Sequence, residues 1–318
     1  MSLAADLHIV TPIANPMRWK SRIRHAYDAI LSWVDEPNVQ VWLPEVAYGK
    51  REHELDHLKH PRVHHIALRA ETAPWSKENL INLAISRIPL EAHYIGTFDA
   101  DIHFRRQGWA EEVCRALDHH PVIQPWSVAH DLGPRGEHLH MHHSLCKLYR
   151  QGKPVAPGGP KFWRADGGPY DYAHSGFAWA YTRDFLNAVG GLFELGGMGS
   201  GDYHMALGLV GRAECSMPAF TSHAYKDAVF EWQARAQRAA AGNIGFVECR
   251  IEHLFHGRKV KRNYIGRWDI FVKHQFNPHT DLKRNTQGVV EWAGNKPHLE
   301  RDWYAYLYSR EEDANTLE

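Results

Sequence analysis

Three short stretches of this chain carry side chains able to do chemistry. The first is Asp99-Ala100-Asp101. Residues i and i+2 of an extended chain share a face, so both carboxylates point the same way. Paired hard oxygens at a strand end can hold Mg²⁺ or Mn²⁺, and such an ion neutralises a diphosphate. This is the only Asp-x-Asp pair in the chain. The alternative is a solvated loop whose carboxylates cap a helix.

The second stretch is His253-Leu254-Phe255-His256. Imidazole suits Mn²⁺, Fe²⁺ or Zn²⁺. The same spacing recurs at His57/His60 and His140/His143, so spacing alone singles out none of them. The last pair differs in running directly into a basic segment, Gly257-Arg258-Lys259-Val260-Lys261-Arg262. Ligands beside cations are what a departing diphosphate requires. A structural histidine beside a solvated basic run is the competing reading. The third stretch is Gly199-Ser200-Gly201-Asp202, whose glycines let backbone approach a ligand. Asp202 is either a general base aimed into a cleft or an acid at a helix start. Upstream, Gly176 in His174-Ser175-Gly176-Phe177 reads as a close backbone approach to a substrate.

The elements that must position these residues alternate. Apolar runs at Leu7–Val10, Val39–Leu43 (stopped by Pro44), Val63–Leu68, His93–Phe98 and Pro121–Val128 read as strands. Helical spacing falls between them, at Ile23–Val34, Leu80–Ile88 and Trp109–Leu117. Such alternation predicts an α/β fold, a mainly parallel sheet with helices on both faces. Ligands then bind at strand carboxyl ends, where Thr11–Trp19 and Asp99–Asp101 lie. Residues 131–172 are rich in Gly and Pro and read as irregular, with His138–His143 inside. Beyond them come a strand at Phe177–Tyr181, helices at Arg183–Val189, Asp202–Leu209 and Lys226–Ala241, a strand at Ile244–Ile251, and a long helix at Tyr264–Phe276. The tail after Arg310 is polar and reads as loose. This divides the chain into 1–130, a flexible loop 131–173, a second half 174–260 and a helical extension 261–318.

Composition removes several classes. Lys+Arg and Asp+Glu balance at 37 each, outside which stand 24 histidines, so no strongly basic nucleic-acid coat is present. Four scattered cysteines form no CxxC pair, which excludes a zinc ribbon and fits a reducing compartment. No apolar run reaches the roughly 18 residues of a membrane span, and the first residues lack a signal-peptide pattern. The chain reads as cytoplasmic. No Gly-x-Gly-x-x-Gly or P-loop follows the first strand, and Gly-x-Ser-x-Gly is out of register.

Taken in order, Ile9–Pro12, Lys77–Asn82, Asp99–Asp101, Ser175–Phe177, Gly190-Gly191-Leu192-Phe193-Glu194, Gly199–Asp202 and His253–His256 resemble a GT-A type nucleotide-sugar glycosyltransferase. The later half is similar to the galactosyltransferase and N-acetylgalactosaminyltransferase pattern, with Met198–Asp202 where that family writes Trp-Gly-Gly-Glu-Asp. Gly201 stands in place of the family's Glu. The resemblance implies the Rossmann-like GT-A sheet and places Asp202 at the base of inverting members. It implies Mn²⁺ or Mg²⁺ on Asp101 and His256, with Asp99 toward the nucleotide-sugar and His253 as the alternative ligand. Arg258, Lys259 and Lys261 would face the diphosphate, and Thr11, Pro12 and Asn15 the nucleoside. The donor expected by likeness is a UDP-sugar.

Phe177–Ala180, Gly201–Leu207, His253–Gly257 and His274–Pro278 also look like bacteriophage-encoded glycosyltransferase-like proteins, some thought to modify hydroxymethylated pyrimidines in phage DNA. That likeness, with a local cation excess between Arg250 and Arg284, implies a DNA acceptor in the host cytoplasm. A glycan, lipid or protein acceptor is equally open. A non-catalytic metal-binding protein built on the histidines is the reading from another class.

Overall fold

The computed structural model describes residues 6–156 and 173–314. Along the first half run β1 (Leu7–Val10), β2 (Ile13–Ala14), α1 (Lys20–Val34), β3 (Val39–Tyr48), β4 (Val63–Ala70), α2 (Lys77–Ile85), β5 (Tyr94–Phe98), β6 (Ile102–Phe104), α3 (Trp109–Leu117), β7 (Val122–Gln124), β8 (Val128–Leu132), β9 (His138–His143) and α4 (Leu145–Arg150). The second half adds β10 (Ala178–Thr182), α5 (Arg183–Val189), α6 (Gly201–Leu209), α7 (His223–Ala240), β11 (Ile244–Phe246), β12 (Arg250–His253), α8 (Trp268–His274), α9 (Pro278–Asp281), β13 (Leu282–Arg284), β14 (Val290–Trp292) and α10 (Pro297–Ser309).

The main sheet has eight strands in the order β11-β7-β10-β5-β1-β3-β2, with β4 also on β3. Its pairings are parallel except those of β10, which runs against β5 and β7. The period-two alternation of each strand divides the core. Leu7, Ile9, Phe98 and Ala180 pack with Ile30 and Trp33 of α1 and Trp109 and Val113 of α3. Val10, Ile95 and Tyr181 point the other way, onto a core shared by α2, α5, α6 and α7. Helices therefore cover both faces, as the alternation predicts. Among the described residues no helix is long and apolar enough to cross a membrane.

Several boundaries differ from expectation. Pro44 does not stop β3. Val41 N–H donates to Arg62 O, just before β4, and Trp42 O accepts from Thr11 N, so alternate residues of β3 face opposite neighbours. Pro44 then faces the gap between β1 and β2, where a missing donor costs nothing. Residues 244–251 are not one strand: β11 joins the main sheet and β12 a second sheet, β6-β12-β8-β9. The stretch read as irregular holds the end of β8, all of β9 and α4, so His138–His143 is a strand. Its Pro157–Pro160 and Gly167–Pro169 segments lie outside the described residues. The long helix expected at 264–276 is only α8, preceded by a 3₁₀ turn at Lys259–Arg262.

The described part of the polar tail, residues 311–314, is not loose. Glu312 is 1% exposed. Helix α1 has no side-chain cap of its own; Asp313 accepts from the N–H groups of Lys20 (2.9 Å) and Ser21 (2.8 Å). A carboxylate at that end satisfies two orphan donors and opposes the helix dipole.

Candidate active site

The second sheet places the metal candidates by register. Asp101 directly precedes β6, and β6 pairs antiparallel with β12 so that Ile102 faces His253. On the other side of β12, His253 lies opposite Asp131 of β8. Leu254 N–H donates to Asp101 O at 2.8 Å and fixes the join. His256 follows one short turn later. Asp101, His253 and His256 thereby present ligand atoms within 4.8 Å of one another, the one such group among the described residues.

Asp101 Oδ2 lies 3.0 Å from His256 Nε2 and 3.7 Å from His253 Nε2, and the two nitrogens are 3.3 Å apart. Asp101 Oδ1 is buried without a hydrogen-bond partner. Burial would raise the Asp101 pKa, but the facing imidazoles hold the carboxyl well below the usual range. Burial likewise pushes His253 down, and the carboxylates of Asp101 and Asp131 outweigh it, raising the ring to about 9. One carboxylate and two imidazoles within reach of one another, with a carboxylate oxygen left unpartnered, fit Mn²⁺ or a similar borderline ion.

The residues behind these ligands were not found from the sequence. Asp131 Oδ1 accepts from His253 Nδ1 at 2.8 Å, and its Oδ2 holds His142 Nε2 (2.5 Å) and the Lys259 ammonium. A carboxylate behind a ligating histidine fixes tautomer and ring orientation. The Asp131 carboxyl is held far below its ordinary range by those donors despite its burial. In the sequence it opens the stretch read as irregular, with nothing to single it out. Glu312 lies 3.7 Å from His256 Nδ1 and pairs with Arg22 (2.8 Å) and Arg310. The Arg262 guanidinium lies against the His256 ring, 2.8 Å from Nε2.

A cavity of about 550 Å³ opens on this cluster. Of the cations expected at a diphosphate, Lys259 lines it; Arg258 does not, and Lys261 pairs with Glu311 at 3.1 Å. Arg262 and Arg267 line it instead. Pro12 is on the wall. Thr11 is fully buried off it, and Asn15 braces its own loop, bonding Trp19 and Glu54. Asp99 is not in the ligand group. It lines the cavity paired with Lys77, and burial raises its pKa against that pairing.

Asp202 also lines the cavity. It is not the helix cap: that position is Ser200, in left-handed conformation (φ 66°), its Oγ taking Arg267 at 2.6 Å. Asp202 Oδ1 accepts from Tyr203 N–H at 2.9 Å. A β-carbon at Gly176 would stand 3.1 Å from Asp202 Oδ2 and from His174 Cε1, so the close approach read at Gly176 is to these side chains. Phe177 takes φ 75° to make this turn, its ring stacked on His174 and its carbonyl accepting Asp99 N–H at 2.7 Å. A bulky residue there is strained and held by its neighbours. Glu78 completes the wall; burial, helped by Asp202 and opposed by Lys77, lifts its carboxyl to about 7.

No family model matches the sequence, and no curated protein is similar to it. Solved structures match across most of the chain at low identity. TarS of S. aureus in complex with UDP is 11% identical over 96% of this chain and 80% of its own, with a TM-score of 0.42. The mannosyltransferase PcManGT of Pyrobaculum calidifontis, in complex with GDP-Man and Mn²⁺, is 11% identical over 98% and 74%, TM-score 0.43. Drosophila beta1,4-galactosyltransferase 7, as a mutant complex with manganese, UDP-Gal and xylobiose, is 9% identical over 92% and 73%, TM-score 0.35. The side chains of the site, rather than these likenesses, carry the functional reading.

Proposed function

We propose that this protein is a divalent-metal-dependent glycosyltransferase. It would move a sugar from a nucleoside-diphosphate sugar, a UDP-sugar by default, to an acceptor hydroxyl with inversion. The observation that carries this reading is the convergence of Asp101, His253 and His256 in a cavity that also presents Lys259, Arg262 and Asp202. Mn²⁺ or Mg²⁺ held by the three ligands would supply a Lewis acid for the diphosphate. Lys259, Arg262 and Arg267 add positive charge where the leaving group develops its own. Asp202 takes the proton of the acceptor hydroxyl as its oxygen bonds to the anomeric carbon and the carbon–oxygen bond to the diphosphate breaks.

A nucleotide-sugar panel with Mn²⁺, followed by thermal shift, tests the donor, because a ligand of the native state raises the midpoint. Asp202→Asn should abolish transfer and leave the nucleotide shift intact. Undiminished turnover in that variant would sink the assignment. The metal-storage alternative needs several sites, whereas one ligand group is found among the described residues. The DNA acceptor gains no support from the basic segment. Several of its cations are drawn inward or paired: Arg262 and Arg267 are buried, Lys273 pairs with Asp302, and Arg284 with Glu194. Transfer to a polynucleotide that collapses with added salt would restore that acceptor.

A further inference from the structure

We propose, resting on the glycosyltransferase reading above, that Glu78 is the second carboxyl of the acceptor site. With Asp202 it would receive a sugar or polyol that presents two neighbouring hydroxyls. Asp202 takes the proton of the attacking hydroxyl, and Glu78 accepts a hydrogen bond from the adjacent one.

Glu78 sits in the first turn of α2, is 3% exposed, and still reaches the cavity wall. Among the described residues no other side chain donates a hydrogen bond to its carboxyl, which takes its own backbone N–H; the neighbouring Lys77 ammonium is taken by Asp99. One backbone donor leaves most of a buried carboxyl's lone pairs unused, which is costly, so the position has room for a donor from a ligand. The backbone has been cleared for it. A β-carbon at Gly201 would stand 2.5 Å from Glu78 Oε1, so only glycine lets this carboxyl lie against the first turn of α6. The next residue in that turn is Asp202. Gly176 clears the opposite side of Asp202 in the same manner. Two carboxyl groups thus meet one compartment from different elements, each with a glycine making room.

The surroundings suit a carbohydrate. Trp75 packs against the same turn, its ring 3.3 Å from a β-carbon placed at Gly199, and it lines the cavity. An aromatic face beside paired carboxyls matches a sugar ring, which is apolar on its faces and donates hydroxyls at its edge.

The test uses the full chain with Mn²⁺ and the nucleotide-sugar that gives the largest thermal shift. Acceptors are monosaccharides and their monodeoxy analogues. Glu78→Gln should raise the acceptor KM roughly 10- to 100-fold and move kcat less, as for loss of one hydrogen bond to a charged group. Removing the hydroxyl next to the attacked one should cost wild type the same factor and cost Glu78→Gln almost nothing more. Gly201→Ala keeps the Glu78 carboxyl and displaces it, so it should reproduce the KM rise. Independent, multiplying effects of the variant and the deoxy acceptor would overturn the proposal. So would a Glu78→Gln effect confined to the donor KM. If instead no nucleotide-sugar shifts the midpoint and Asp202→Asn transfers normally, the glycosyltransferase reading itself has failed.

Discussion

Asp131→Asn asks whether the metal centre depends on the carboxylate behind it. The substitution keeps shape and removes one charge. The amide oxygen still accepts from His253 Nδ1, the contact now made at 2.8 Å. The amide nitrogen then takes the place of Oδ2, which accepts from both Lys259 and His142. His142 can present its other tautomer, but an ammonium has no lone pair, so donor meets donor. Removing one partner of a buried pair costs about 3–5 kcal/mol. The Lys259 side chain keeps 23% of its exposure, so water screens part of that, and about 2–3 kcal/mol of stability is the expected loss. The ligand itself suffers separately. Weakening the partner behind a ligating histidine costs roughly 10- to 100-fold in metal affinity, about 1.4–2.7 kcal/mol. Mn²⁺ titration followed by electron paramagnetic resonance reads the second effect, and urea unfolding without metal reads the first. The reasoning is refuted if the variant unfolds at the wild-type midpoint, or if a folded variant binds Mn²⁺ within about twofold of wild type.

Other perturbations separate the remaining parts. Glu312→Gln leaves Arg22 and Arg310 short of a buried counter-ion and takes a charge from beside His256. Stability should fall by about 3 kcal/mol, with weaker Mn²⁺ binding; an unchanged urea midpoint would refute the tail's role. His204 is fully enclosed between Ser216 Oγ (2.6 Å) and Tyr225 OH (2.9 Å), and burial lowers its pKa to about 3. The unfolded chain titrates this ring near 6.5, so between about pH 3 and 6.5 it binds the extra proton. Stability therefore rises with pH across that window and is lost as pH falls through it. His204→Gln should flatten this dependence in urea midpoints taken from pH 5 to 7; an identical slope would contradict it.

The residues that stand alone were legible. Asp101, His253, His256 and Asp202 each followed a strand or a glycine turn, and each reaches the one cavity. The alternating elements likewise predict a mainly parallel sheet covered on both faces. What was missed depends on register between distant strands. Nothing near Asp131 in sequence says that β8 will lie beside β12. The cations show a finer reason. The sequence assigns the basic run no conformation, and it forms a 3₁₀ turn with three residues per turn. Lys259 and Arg262 then share one face, toward the cavity, while Arg258 and Lys261 share another. Glu78 was not singled out, because Gly201, the glycine that admits it, lies far along the chain.

The tail that buttresses His256 has a consequence for how the protein is made. Arg22 and Glu312 close on each other across 290 residues of sequence, and the ligands between them come from the residue before β6 and from the end of β12 and the residues after it. Contacts of such separation form late, after the intervening chain has ordered. A nascent chain lacking Glu312 would carry the ligand side chains without the brace that orders them. Metal capture would then report on maturation: bound ion favours the finished molecule over all incomplete ones, and unfastening the tail would release it.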